Sequence, residues 1–88
     1  MASEALKNLA LSDTGFVFDP TTGNTYTLNE TGLAIVRLLK IDKTKEDIIQ
    51  SIISEYEVDS DEIERDYSDM IIQLTELGLY KWKDQSLQ

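Results

Sequence analysis

The fold is decided by residues 15–28, which read GFVFDPTTGNTYTL. Both ends of this stretch are rich in aromatic and β-branched residues, which favour strands. Pro20 fixes φ for the second position of a type I turn, and Gly23 can adopt the left-handed conformation that follows such a turn. In the second half, Tyr26 and Leu28 alternate with threonines and therefore point to one face. This stretch predicts a β-hairpin.

The residues before the hairpin allow one more short strand. Leu6, Leu9 and Leu11 are separated by polar or small neighbours, so we expect this strand within residues 6–11. The predicted sheet then has two or three antiparallel strands.

The pattern changes from strand-like alternation to helical periodicity at Asn29, a residue type that suits a helix N-cap. We expect three helices, over about residues 30–39, 45–56 and 60–77, because apolar residues recur there at spacings of three and four. Thr44, with Asp47 three residues on, resembles a capping box before the second helix. Gly78 is typical of the left-handed residue that follows a helix C-terminus.

A length of 88 residues suits one domain with one hydrophobic core. The order of elements predicts an α+β fold with a small N-terminal antiparallel sheet of two or three strands followed by three helices. This arrangement is similar to a winged helix-turn-helix. We expect residues 1–88 to form one domain, with an ordered core from about residue 6 to residue 82.

The composition excludes several kinds of site. The chain has no cysteine and no histidine, so disulfides, thiolate catalysis and the commonest transition-metal ligands are absent. Its carboxylates are not arranged with a nucleophile and an oxyanion site. No apolar stretch approaches the roughly 20 residues of a membrane span, and the first residues do not resemble a signal peptide. We expect a cytoplasmic, non-enzymatic protein without cofactor or metal.

The charge is strongly negative, with 17 acidic residues against 8 basic ones and a net charge of -9. A surface of this sign repels phosphate backbones, so we expect no nucleic-acid partner. It attracts a basic peptide or a basic protein face. The simpler interpretation is that the charge keeps a small domain soluble.

Three pieces of the sequence resemble the PqqD-like family. The first is residues 15–32, a hairpin that ends in a Leu-Asn pair leading into a helix. The second is residues 43–49, KTKEDII, a short polar entry to the second helix. The third is residues 66–79, a final helix with a Leu-Gly-Leu ending. With the segments between them, the resemblance covers about residues 6–82.

The resemblance implies a recognition element for ribosomally made, post-translationally modified peptides. In such modules the leader of the precursor peptide adds a strand to the exposed edge of the sheet, in the groove between the third strand and the third helix. The module then presents the peptide to a modifying enzyme, often a radical SAM enzyme. Here the third strand corresponds to residues 24–28 and the third helix to about residues 60–77.

An edge strand independently favours this function, because an extended peptide can bind its unpaired N–H and C=O groups. On the adjacent helix, Met70 adapts to varied partners and Tyr67 offers a rigid amphipathic contact. The candidate peptide-binding residues are Asn24, Thr25, Tyr26, Thr27, Leu28, Ile63, Tyr67, Met70 and Leu74.

A core role competes with binding for several of these side chains, since one helix stripe cannot face both the core and a groove equally. For Ile71, Leu74 and Leu77 the core interpretation is favoured, while Ile63, Tyr67 and Met70 remain open between the two. Tyr26 is expected to pack on the first helix rather than on a ligand.

The acidic start of the third helix departs from the family pattern, in which some members bind acidic leaders. Either the partner here is less acidic, or the acids point away from the groove. The basic candidates for pairing a leader carboxylate are Arg65, Lys81 and Lys83, with Arg37 and Lys40 as alternatives on the first helix.

Other functions remain open. The strongest alternative is a general protein–protein adaptor with no role in peptide modification. An acyl carrier protein fits the size and acidity, but the pair Asp59-Ser60 opens the last helix and lacks a following leucine. A DNA-binding winged helix is disfavoured by the acidic third helix, and a calcium loop by Ile63 at a ligand position. The exposed edge permits a monomer or a strand-exchanged dimer.

Overall fold

A computed structural model describes residues 4–80 of the chain. In chain order the elements are α1 Glu4–Lys7, β1 Ala10–Leu11, β2 Phe16–Phe18, β3 Thr25–Thr27, α2 Glu30–Lys40, α3 Lys45–Glu55 and α4 Ser60–Glu76. The strands form one antiparallel sheet in the order β1-β2-β3. The expected α+β order is confirmed, and the three main helices end within one residue of their expected bounds.

The strand expected within residues 6–11 is shorter than that range, which is a correction. Leu6 instead lies in the short helix α1 and is fully buried. The Leu9 amide donates to the Leu6 carbonyl at 3.2 Å, so the three-residue spacing of these leucines is that of a helical turn. The turn directs both side chains into the core, and strand pairing begins at Ala10.

The hairpin turn is built around Asp19, a buried residue whose two carboxylate oxygens each accept a hydrogen bond. The carboxylate accepts hydrogen bonds from the Thr21 amide at 2.9 Å and from the Thr22 hydroxyl at 3.1 Å. Gly23 takes a left-handed φ of 79°, as expected, and its amide donates to the Asp19 carbonyl at 2.7 Å. The predicted hairpin and the left-handed conformation of Gly23 are therefore confirmed.

Side chains cap the first turns of two helices as the sequence predicts. The Asn29 side-chain oxygen accepts the Gly32 amide at 2.7 Å at the start of α2. The Thr44 hydroxyl accepts the Asp47 amide at 3.1 Å at the start of α3. The Asn29 cap fixes where the chain passes from the sheet into the helices, and the Thr44 cap fixes the start of α3.

The C-terminus of α4 forms a Schellman motif. Gly78 has a φ of 77°, its amide donates to the Thr75 carbonyl at 3.0 Å, and the Leu79 amide donates to the Leu74 carbonyl at 2.8 Å. The motif reverses the chain and buries Leu79 in the core. Residues 81 and 82, the end of the expected ordered core, lie outside the described residues.

The core lies between the helices and one face of the sheet. Val17 is buried on that inner face, whereas Phe16 and Phe18 are 60% and 44% exposed on the outer face. The core side chains come from all parts of the described chain: Leu6, Leu9, Val17, Ile35, Val36, Leu39, Ile48, Ile49, Ile52, Ile63, Tyr67, Ile71, Leu74 and Leu79. Within residues 4–80, no helix has the length and apolarity to span a membrane.

Gly15→Ala should destabilise the protein more than Gly23→Ala. Both glycines have a left-handed φ, of 96° and 79°, which costs an alanine about 1–2 kcal/mol. A Cβ at Gly15 also overlaps the Leu28 carbonyl oxygen, whereas a Cβ at Gly23 meets nothing within 4 Å. Urea unfolding followed by circular dichroism should show an additional loss of about 1 kcal/mol or more for Gly15→Ala. Equal losses in the two variants would contradict this packing.

Candidate functional site

An open groove of about 390 Å³ lies between β3 and the C-terminal half of α4. We call it the β3–α4 groove. Apolar side chains form most of its lining, and a glutamine and a glutamate lie among them. The lining residues are Leu9, Val17, Tyr26, Thr27, Leu28, Val36, Met70, Gln73, Leu74, Glu76, Leu77 and Leu79.

The β3 side of the groove is lined by Tyr26, Thr27 and the following Leu28, and side-chain alternation places Tyr26 and Leu28 on the buried face of the strand. Tyr26 and Leu28 are half-buried and pack against the core. Thr25 and Thr27 are exposed, and they pair with Phe18 and Phe16 across the hairpin. One face of β3 therefore meets the core and the groove, as the alternation predicts.

β3 is an edge strand. Within residues 4–80 its one neighbour in the sheet is β2, so no strand pairs with its outer edge. The Leu28 amide donates to the Gly15 carbonyl at 2.8 Å. In an antiparallel ladder such hydrogen-bonded pairs recur at every second residue, so the backbone N–H and C=O groups of Tyr26 point toward β2. Thr25 and Thr27 therefore direct their N–H and C=O groups outward, beside the groove.

Met70 forms part of the opposite wall, and a glycine lets it approach α2. A Cβ at Gly32 would lie 2.9 Å from the Met70 terminal methyl carbon, so a larger residue would displace this side chain. Met70 is half-buried and lines both the groove and an adjoining depression of about 150 Å³. Its flexible thioether side chain can adapt to the shape of a bound side chain.

Ile63 and Tyr67 do not reach the groove, although they were expected to contact a peptide. Ile63 is 0% exposed and Tyr67 is 7% exposed, and both belong to the core cluster. Burial, with a smaller contribution from Tyr80, raises the pKa of Tyr67 to about 12. We therefore remove both side chains from the candidate contact residues.

Of the other expected site residues, Tyr26, Thr27, Leu28, Met70 and Leu74 come together in the groove. The side chains of Asn24 and Thr25 are exposed and do not line it. At Asn24 and Thr25, therefore, the side chains do not contribute to the groove, and Thr25 offers its outward backbone groups instead.

Leu77 was expected in the core but is 49% exposed and lines the groove. It is the C-cap residue, directly after the last helical residue of α4. The sequence signal for it was its spacing of seven residues from Met70, which places both on one side of the helix. Gln73, three residues after Met70 and four before Leu77, lies on that same side.

Carboxylates lie along the α4 side of the groove. Asp66, Asp69 and Gln73 line the adjoining depression, and Glu76 lines the groove itself. We call Asp66, Asp69 and Glu76 the acidic rim. Among residues 4–80 the rim forms no ion pair within 4.0 Å, since the ion pairs there are Lys7–Asp42, Arg37–Asp13 and Lys45–Glu64.

The basic residues expected to pair a leader carboxylate are not at the groove. Arg37 binds Asp13 at 2.7 Å, and the Lys40 ammonium donates to the Leu9 carbonyl. Arg65 is exposed and does not line the groove. Lys81 and Lys83 lie outside the described residues. In the described part of the chain, no group of three or more carboxylates is placed to hold a metal ion.

The chain matches one protein family and is similar to two solved structures. Residues 15–79 match the model of the family described as Coenzyme PQQ synthesis protein D (PqqD). The chain is similar to a lasso peptide synthetase B1 complexed with the leader peptide, at 30% identity and a TM-score of 0.70, covering 90% of this chain and 93% of that one.

The chain is also similar to TbiB1 in complex with the TbiA(beta) leader peptide. The identity is 30% and the TM-score 0.73, over 92% of this chain and 98% of that one. A comparison with curated proteins finds no match.

Proposed function

Because this chain belongs to the PqqD family, we propose that it binds the leader of a ribosomally made precursor peptide and presents it to a modifying enzyme. The observation that carries this proposal is the apolar β3–α4 groove beside an unpaired strand edge. The leader peptides in two structures similar over nine-tenths of the chain support it. The protein has no catalytic role of its own in this proposal, and the absence of cysteine and histidine is consistent with that.

The leader binds as an additional strand against β3. Thr25 and Thr27 together offer two N–H donors and two C=O acceptors at the outer edge. Each backbone hydrogen bond contributes about 0.5–1.5 kcal/mol net. Micromolar affinity requires about 8 kcal/mol in total, so these bonds fix the register but do not supply the whole affinity.

Side chains of the leader supply the remainder by entering the groove. In an added strand, alternate side chains point to the face that Tyr26 and Leu28 occupy. Burial of one leucine-sized side chain stabilises the complex by about 1.5–3 kcal/mol. Two such anchors beside Met70 and Leu77, with the backbone bonds, bring the affinity into the micromolar range.

The form that binds the leader is a monomer. Strand exchange between two copies would use the same edge of β3 that the leader needs, so the two processes compete. Residues 1–88 act as one peptide-binding domain that presents the leader to a modifying enzyme. A radical SAM enzyme is the partner that the family resemblance suggests.

Thr27→Pro should abolish leader binding while the hairpin remains. Proline removes an outward N–H group that β2 does not use, and edge strands tolerate proline. Thr27→Val changes the side chain but keeps the N–H, so it is the matched control. Isothermal titration with a synthetic leader from the neighbouring precursor gene should show binding for Thr27→Val and none for Thr27→Pro. Similar affinities in both variants would exclude strand addition at β3.

Leu77→Ala should weaken leader binding about fivefold or more, through loss of roughly 1 kcal/mol or more of apolar contact. Ile72→Ala is the matched control, because Ile72 is 52% exposed on the same helix and does not line the groove. Fluorescence anisotropy with a labelled leader measures both affinities. An equal effect of the two substitutions would place the leader elsewhere on the protein.

A further inference from the structure

We propose that the groove selects a basic leader, with lysine or arginine side chains beside its apolar anchors that pair with Asp66, Asp69 and Glu76. This inference rests on the proposed peptide-binding function and specifies the chemistry of the peptide. It commits the groove to one kind of occupant, an extended peptide that is apolar on one face and positively charged along the α4 side.

The acidic rim is aligned with the groove. Asp69 and Glu76 are seven residues apart, which is close to two helical turns, so they lie on the same side of α4 about 10 Å apart. An extended peptide covers that distance in about three residues. Asp66 continues the rim toward Asn29, at the adjoining depression. A leader that occupies the groove and the adjoining depression, which share Met70 and Gln73, therefore lies beside all three carboxylates.

The carboxylates of the acidic rim are not neutralised by basic side chains within residues 4–80. Asp69 and Glu76 are exposed and Asp66 is half-buried, and none of the three forms an ion pair within residues 4–80. Among residues 4–80, no lysine or arginine lines the groove or the adjoining depression. Negative charge beside an apolar cleft attracts a cationic peptide and repels an acidic one, and the net charge of -9 acts in the same direction.

A peptide selection tests the inference with random sequences in place of the natural leader. The immobilised full-length protein is exposed to a displayed library of random linear peptides, and a parallel selection uses Thr27→Pro to remove peptides that bind other surfaces. Peptides that depend on Thr27 should combine apolar residues with an excess of lysine and arginine over aspartate and glutamate. They should also compete with one another for a single site.

The affinity of the most enriched peptide is then measured for four variants. Asp69→Asn and Glu76→Gln should each weaken binding about twofold to fivefold at low ionic strength, and the effect should shrink at high salt. Glu57→Gln is the matched control, because Glu57 is exposed, lines neither depression and precedes the opposite end of α4. Glu76→Lys should weaken the basic peptide further and improve a version with glutamate in place of lysine.

The outcomes separate the two levels of the proposal. Neutral or acidic peptides that require Thr27 would overturn the charge selection while peptide binding at β3 stands. Equal effects of Glu76→Gln, Asp69→Asn and Glu57→Gln would do the same and would assign the rim to solubility alone. A selection that yields no peptide dependent on Thr27 would overturn both the charge selection and the proposed function.

Discussion

β3 hydrogen-bonds to β2 along one edge, and the register of that pairing depends on the close approach of Gly15 to Leu28. The Leu28 amide donates to the Gly15 carbonyl at 2.8 Å, and a side chain at Gly15 would overlap the Leu28 carbonyl oxygen. Because strand side chains alternate, a slip of one residue would turn Tyr26 outward and reverse which amides face solvent. The groove lining and the outward N–H groups of Thr25 and Thr27 therefore share one structural cause.

The division of α4 into two stripes completes the site. Ile63, Tyr67 and Ile71 recur at four-residue spacing and are buried in the core. Met70 and Leu77, displaced around the helix from that stripe, face the groove instead. One helix thus anchors the fold and lines the groove, and this explains why an apolar surface can remain open without weakening the core.

The sequence predicted most of the fold because its signals are local. Asn29 and Thr44 accept the amides expected of N-caps, and Gly78 has the expected left-handed φ, since each depends on neighbouring residues. The short helix around Leu6 was missed because the spacing of three from Leu6 to Leu9 suits a helical turn, whereas the spacing of two from Leu9 to Leu11 suits a strand.

The site was predicted less completely because it depends on tertiary packing. The strand 24–28 could be identified from its alternation, but which stripe of α4 meets the core depends on how α2 and α3 pack against it. Leu77 was therefore assigned to the core although it is exposed at the groove, and Ile63 was left open between groove and core although it is buried. The acidic rim was visible as composition, yet its alignment with the groove needed the structure.

The central claim is that a peptide adds as a strand to the outer edge of β3. Amide hydrogen exchange, measured by NMR with and without saturating leader peptide, tests it at single residues. Amides of Thr25 and Thr27 that donate to a peptide carbonyl should become strongly protected, whereas Tyr26, which faces β2, should change little. A bound peptide that leaves the exchange of both threonine amides unchanged would contradict strand addition at this edge.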